Sequence, residues 1–233
     1  MNKNENGRSA LEILSILAIA AFLTLGAVAG FSKAIKRYKA GKIIDQVSVL
    51  SDNIRAFYAQ KISYEEATTA AVMENAGLRP QDLKVDGAKN MLKNPFGGKV
   101  LVTSGQIGYG ISGIKNDKKA FLIKYTGLPR EACVTLASYD WNSQVSSGLM
   151  GLQIIGKTTE EPKEGSEEIE DIIGPDGIEF QDNGIACTGV SATAGNAVAC
   201  IGGINGVPLT PTQAGTACNC PAKKGCSVVW KYY

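Results

Sequence analysis

Residues 10–31 read ALEILSILAIAAFLTLGAVAGF, apolar or small at every position except Glu12. At about 1.5 Å per helical residue this run reaches roughly 33 Å, against about 30 Å for the hydrocarbon core of a bilayer. A chain that opens this way is expected to be anchored by one transmembrane helix, with the remainder folded outside the bilayer. A secretory signal has a shorter apolar region and ends at a small-residue cleavage site. Here the run passes without such a site into a basic segment bearing Lys33, Lys36, Arg37, Lys39 and Lys42, so the anchor is expected to stay.

Charge does not settle the orientation. Lys3 and Arg8 favour a cytoplasmic N-terminus, whereas the five cations after the run argue the reverse. The cysteines decide it: Cys133, Cys187, Cys200, Cys218, Cys220 and Cys226 all lie beyond residue 132, and an even set confined to one part of a chain fits disulfides made on an oxidising side of the membrane. Their spacing leaves the pairing open. Cys218, Cys220 and Cys226 could suggest zinc, but structural zinc sites take four ligands at spacings of about two to four residues, and disulfides explain the same residues better. No metal or other cofactor is expected.

Enzyme classes start at a disadvantage. The 233 residues contain no His, which removes Ser-His and Cys-His nucleophile pairs, the commonest general base and most zinc and non-haem iron sites. With 24 basic and 22 acidic side chains the net charge is +2, too small a field to hold a polyanion, so nucleic acid is not expected as a partner. Gly108-Tyr109-Gly110-Ile111-Ser112-Gly113 matches G-x-G-x-x-G, yet a strand rather than a helix is expected to follow, and the pyrophosphate needs a helix N-terminus. The acidic run Glu160, Glu161, Glu164, Glu167, Glu168, Glu170 and Asp171 reads as a solvated loop, because like charges extend a segment. Its spacing is not that of an EF-hand calcium loop.

Glu12 is the anomaly of the apolar run. A carboxylate there costs roughly 2.5 kcal/mol or more and calls for a partner; the bland alternative is a side chain that snorkels into the headgroups. Upstream stand a polar leader, Met1 to Asn6, then Gly7 and Arg8. Cleavage between Gly7 and Arg8 would create an α-amino group four residues before Glu12, and a helix brings such positions onto one face.

In these features the chain resembles the type IV prepilin family, the subunits of type IV pili and the pseudopilins of type II secretion. The short charged leader, Gly7 before the cut, Glu12 as the fifth residue after it and the apolar stretch from Ile13 to Phe31 carry the resemblance; Arg8 stands where the family more often has Phe, Met or Leu. Asn94-Pro95-Phe96-Gly97-Gly98, Gly127-Leu128-Pro129-Arg130-Glu131-Ala132-Cys133 and Thr210-Pro211-Thr212-Gln213-Ala214 before Cys218 look like segments of type IVb-like pilins. The resemblance implies a Cys133–Cys218 bridge. Proximity then suggests Cys187 with Cys200 and Cys220 with Cys226.

It also implies an α+β fold: residues 1–7 as leader, 8–60 as a long helix whose part 10–31 is transmembrane, and 61–233 as a head with an antiparallel sheet and a disulfide-stapled C-terminal region. Ile43, Val47, Leu50, Ile54 and Phe57 form a helical stripe expected to pack on the protein's own sheet rather than in an intermolecular coiled coil. A second helix is expected over 63–77 with Ser63 as cap, a loop over 78–91, strands over 99–103, 106–111 and 120–125, a short helix opened by Pro129, and a closing strand around Trp230 and Tyr232.

The implied role is a structural subunit with no catalytic residue. It would be processed by prepilin peptidase, held in the bacterial inner membrane as a single-pass precursor, then passed by an assembly platform into a homo-oligomeric extracellular filament. The alternatives are a type II secretion pseudopilin, which would stay in the periplasm, a minor pilin acting as adhesin or DNA receptor, and a signal-anchored envelope enzyme.

Overall fold

A computed structural model describes residues 10–105, 118–141, 148–155, 196–200, 208–220 and 225–233, and the backbone alone at 10, 11, 25, 26, 29 and 196–200. The chain forms two compact units, one up to Tyr38 and one from Lys39 onward.

Helix α1 runs Ala10–Tyr58, and no Pro occurs before Pro80 to stop it. Its part in the second unit is one-sided: Ala40, Ile43, Gln46, Val47, Leu50, Ser51 and Ile54 are buried, while Asp45, Val49 and Asp52 are exposed. The expected stripe holds through Ile54. Phe57, however, is 49% exposed, and Tyr58 takes the last buried place, its ring 5.7 Å from that of Tyr64.

The expected helix over 63–77 shrinks to α2, Thr69–Glu74, capped by Thr68 rather than Ser63; the Thr68 side chain accepts from the Ala71 amide. The reason lies in Tyr64. Its amide donates to the Lys118 carbonyl at 2.7 Å, its ring packs between Tyr58 and Phe121, and its carbonyl accepts from the Ala67 amide at 2.8 Å, which closes a turn at 65–66 where the helix was expected. The loop expected over 78–91 contains a strand, β1 at Lys84–Asp86, paired antiparallel with β2 at Met91–Lys93. Asn90, at φ 47°, makes the turn between them.

Strands β3 at Lys99–Gly105 and β4 at Ala120–Leu128 follow. Then come α3 at Arg130–Ala137, with Pro129 as its N-cap, β5 at Leu149–Ile155, β6 at Asn196–Cys200, α4 at Pro211–Ala217 and β7 at Cys226–Tyr232. The strand expected over 106–111, the G-x-G-x-x-G match and the acidic run lie outside the described residues.

All pairings are antiparallel, in the order β1-β2-β3-β4-β7-β5-β6. The last strand in the chain is thus inserted between β4 and β5. Its seven residues are all buried, as expected for a central strand covered on both faces.

Register fixes which residues meet α1. Val100, Tyr125, Val228 and Ile154 lie in one row across the sheet, and Val102, Ile123, Trp230 and Leu152 in the next. All are buried and share one cluster with Ile43, Val47, Leu50 and Ile54. Polar ties cross this interface as well: Tyr125 Oη donates to Gln46 Oε1 at 3.4 Å, and the Ser51 and Tyr232 side chains share a hydrogen bond.

At the far end of the sheet the backbones approach too closely for side chains. A Cβ on Gly98 would collide with the Thr126 carbonyl, and Gly127 at φ 66° lies against Gly98. Asn94 locks the turn: its Nδ2 donates to the Thr126 carbonyl at 2.8 Å, and its Oδ1 accepts from the amides of Phe96 and Gly98.

Candidate assembly segment and disulfide cluster

The first unit is an apolar helix whose described large side chains face outward in every direction. Ile13, Leu14, Ile16, Leu17, Ile19, Phe22, Leu23, Val28 and Phe31 range from 47% to 82% exposed. A surface helix of a globular protein keeps one apolar stripe against a core, and exposed apolar patches of this extent mark a surface that something else covers. Glu12 sits in the first turn of α1, exposed among them. There its carboxylate suits the positive end of the helix dipole, and its own carbonyl accepts from Ser15 Oγ at 2.8 Å. Gly7 and Arg8 lie outside the described residues.

Among the described residues no helix is long and apolar enough to cross a membrane. The run of 10–31 takes in positions whose side chains are not described, so the membrane reading rests on the sequence.

The second unit carries the sulfur chemistry. Cys133, in α3, is bonded to Cys218, the C-cap of α4, with Cα atoms 5.8 Å apart and a sequence separation of 85. Cys220 is bonded to Cys226 at the start of β7, with Cα atoms 5.3 Å apart. Local structure aims these residues. Pro129 and Glu131 start α3 so that Ala132, Cys133, Leu136 and Ala137 face the core. Thr210 and Gln213 form a reciprocal capping box with Pro211 in the first turn, which starts α4 and presents Ala214, Ala217 and Cys218 to the same core. Arg130 donates to the Gly215 carbonyl at 3.1 Å, tying the two helices together.

The Sγ atoms of Cys133, Cys218 and Cys226 all lie within 4.8 Å of one another. As disulfide sulfurs they are not thiolates, the form that ligates metals. Cys187 lies outside the described residues, and Cys200 is placed in β6 by its backbone alone.

A buried lysine pair was invisible in the sequence. On the sheet face away from α1, Leu122, Lys124, Val229 and Lys231 are at most 4% exposed. Among the described residues Lys124 Nζ has no hydrogen-bond partner, and desolvation pulls its pKa down to about 8. Only the alternation of strand β4 could have signalled it, since Lys124 shares a face with Ala120 and Leu122.

A family model described as Bundlin matches residues 33–167, more than half of the chain. The chain is 29% identical over 160 residues to the major structural subunit of bundle-forming pilus of Escherichia coli O127:H6 (strain E2348/69 / EPEC), covering 67% of this chain and 76% of that one. It is 30% identical over 141 residues to the protein of the same description in Escherichia coli O111:H-, covering 59% and 67%. Among solved structures, a type IV b pilin from Salmonella typhi aligns with 82% of this chain and 98% of its own, at a TM-score of 0.45 and 16% identity. The chain belongs to the bundlin family of type IV pilins.

Proposed function

We propose that this protein is a structural pilus subunit, polymerised through the first half of α1 into an extracellular filament. One observation carries the reading: nine large apolar side chains of the first unit point outward on all sides of the helix, so the helix needs an apolar surrounding wherever it resides. Lipid supplies it for a precursor in the inner membrane, and a bundle of identical helices supplies it in a filament. The named roles of the two E. coli relatives support the same reading.

Glu12 then acts as a registry device. After cleavage between Gly7 and Arg8 by a prepilin peptidase, its carboxylate pairs with the new α-amino group, best that of the subunit already in place. In a low-dielectric bundle, leaving one member of such a pair alone costs roughly 3 to 5 kcal/mol, so a subunit entering at the wrong height is rejected. An assembly platform would lift the processed subunit from the membrane. Nothing in this role requires catalysis.

The test compares filament yield with membrane-fraction abundance for Glu12→Gln and Glu12→Leu. Both variants should be cleaved, folded and retained in the membrane while polymerising poorly. Glu12→Leu should insert more favourably and assemble no better. Wild-type filament yield from Glu12→Leu would show the carboxylate to be dispensable.

A further inference from the structure

The two described disulfides differ in access. Cys133, Cys218 and Cys226 are all 0% exposed, whereas Cys220 is half-buried and follows the exposed Asn219. Thiol–disulfide exchange requires the attacking thiolate to reach a sulfur. The Cys133–Cys218 bridge presents no reachable sulfur to a thiol in solution, whereas its neighbour ends in Cys220, which is partly exposed. The buried end of that neighbour, Cys226, lies within 4.8 Å of both Cys133 Sγ and Cys218 Sγ.

We propose that Cys220 is the entry site for an external protein thiol or disulfide, and that Cys226 relays exchange from it to the buried Cys133–Cys218 bridge. In the opening direction an external thiolate attacks Cys220 Sγ. A mixed disulfide forms at Cys220, the Cys220–Cys226 bond breaks, and its electron pair remains on Cys226 as a thiolate. That thiolate attacks the adjacent bridge, forming a bond to one of its sulfurs and expelling the other as a thiolate, which takes up a proton. Each step makes one sulfur–sulfur bond and breaks one, so the relay itself consumes no oxidant.

Run in reverse, the relay installs the long bridge. Closing the short loop to Cys226 carries a smaller entropic cost than closing the 85-residue separation, so an external disulfide acts first on the local pair. α3 and α4 then dock: the Cys133 thiolate attacks Cys226 Sγ and expels Cys220 as a thiolate, the Cys218 thiolate attacks Cys133 Sγ and expels Cys226, and a second external disulfide re-forms Cys220–Cys226. The partner this implies is a dithiol oxidoreductase that engages the segment around Cys220.

Two measurements on the full-length chain in detergent micelles test the relay. In the first, oxidised protein is exposed to dithiothreitol at pH 8.5 without denaturant, quenched by alkylation at intervals and mapped by peptide mass. In the wild type Cys220–Cys226 should open first and Cys133–Cys218 follow. In Cys220→Ala/Cys226→Ala the loss of Cys133–Cys218 should slow at least about tenfold, because only larger opening of the fold then exposes it. An equal or faster loss would overturn the relay.

The second measurement does not depend on that variant's stability. Cys220→Ala leaves Cys226 as a thiol beside the bridge. Held at pH 8.5 without reductant, and with native circular dichroism, it should acquire a bond from Cys226 to Cys133 or Cys218 in a readily measured fraction of molecules. A map showing Cys133–Cys218 alone after prolonged incubation would overturn the proposal.

Discussion

Removing the two bridges separately should cost very different amounts of stability. In the chain-entropy model, a cross-link stabilises by restricting the unfolded chain, by more as the loop it closes grows. For the sequence separation of 85 between Cys133 and Cys218, that relation gives about 4.6 kcal/mol at room temperature. For the separation of 6 between Cys220 and Cys226 it gives about 2.2 kcal/mol.

The loops follow one another without nesting, so the two contributions should be close to additive. Cys133→Ala/Cys218→Ala and Cys220→Ala/Cys226→Ala delete the same atoms, and three of the four sulfurs are fully buried. The difference between the double variants, about 2.4 kcal/mol, therefore isolates loop closure. The assay is urea unfolding of the full chain in a fixed detergent concentration, followed by fluorescence of Trp141 and Trp230, both buried in the second unit. A difference below about 0.5 kcal/mol, or one of the opposite sign, would refute the entropic account and show that packing around the sulfurs outweighs loop closure.

Other outcomes follow from particular contacts. Gly98→Ala should lose about 2 to 4 kcal/mol, because its Cβ meets the Thr126 carbonyl and Asn94 Nδ2; Gly215→Ala, within α4 and with nothing within 4 Å of its added Cβ, should gain about 0.5 to 1 kcal/mol. Both are read by the same urea titration. Lys124 releases its proton near pH 8 when folded but keeps it to about 10.5 when unfolded, so unfolding takes up a proton between these values and stability should rise with pH across that window. Lys124→Met should abolish the rise and add about 2 to 3 kcal/mol at pH 7, as measured by unfolding between pH 7 and 10. Above about pH 10 the trend should reverse, because burial raises Tyr125 and Tyr232 and only the unfolded chain can ionise them. Gly7→Val should block cleavage, leaving an unprocessed membrane protein that intact-mass measurement would show to begin at Met1.

Much of the helix was legible in the sequence. Ile43, Val47, Leu50 and Ile54 recur at helical spacing with no Pro among them, and they form the buried face observed. The stripe failed only at Phe57, where Tyr58 is taken instead by ring contacts with Tyr64, a residue on a different segment. Short elements were less legible. Lys84-Val85-Asp86 is too brief and too polar to announce a strand, and it is held by pairing with Met91–Lys93 and by an ion pair between Lys93 and Asp86 at 2.6 Å. The insertion of β7 between β4 and β5 depends on contacts across most of the head, which no local pattern encodes. Lys124 and Lys231 would by residue type have argued against a doubly covered centre. The cysteine geometry shows the same division: proximity suggested Cys220 with Cys226, whereas Cys133 meets Cys218 only through the docking of α3 on α4.

The central claim, that this chain builds a filament through its exposed apolar helix, is tested most directly by shearing surface filaments from cells that produce it, imaging them by electron microscopy and identifying their main protein band by mass spectrometry. Long filaments whose principal component is this chain, beginning at Arg8, are expected. Filaments in which it is absent or present only in traces, with the chain left in the membrane or periplasm, would contradict it.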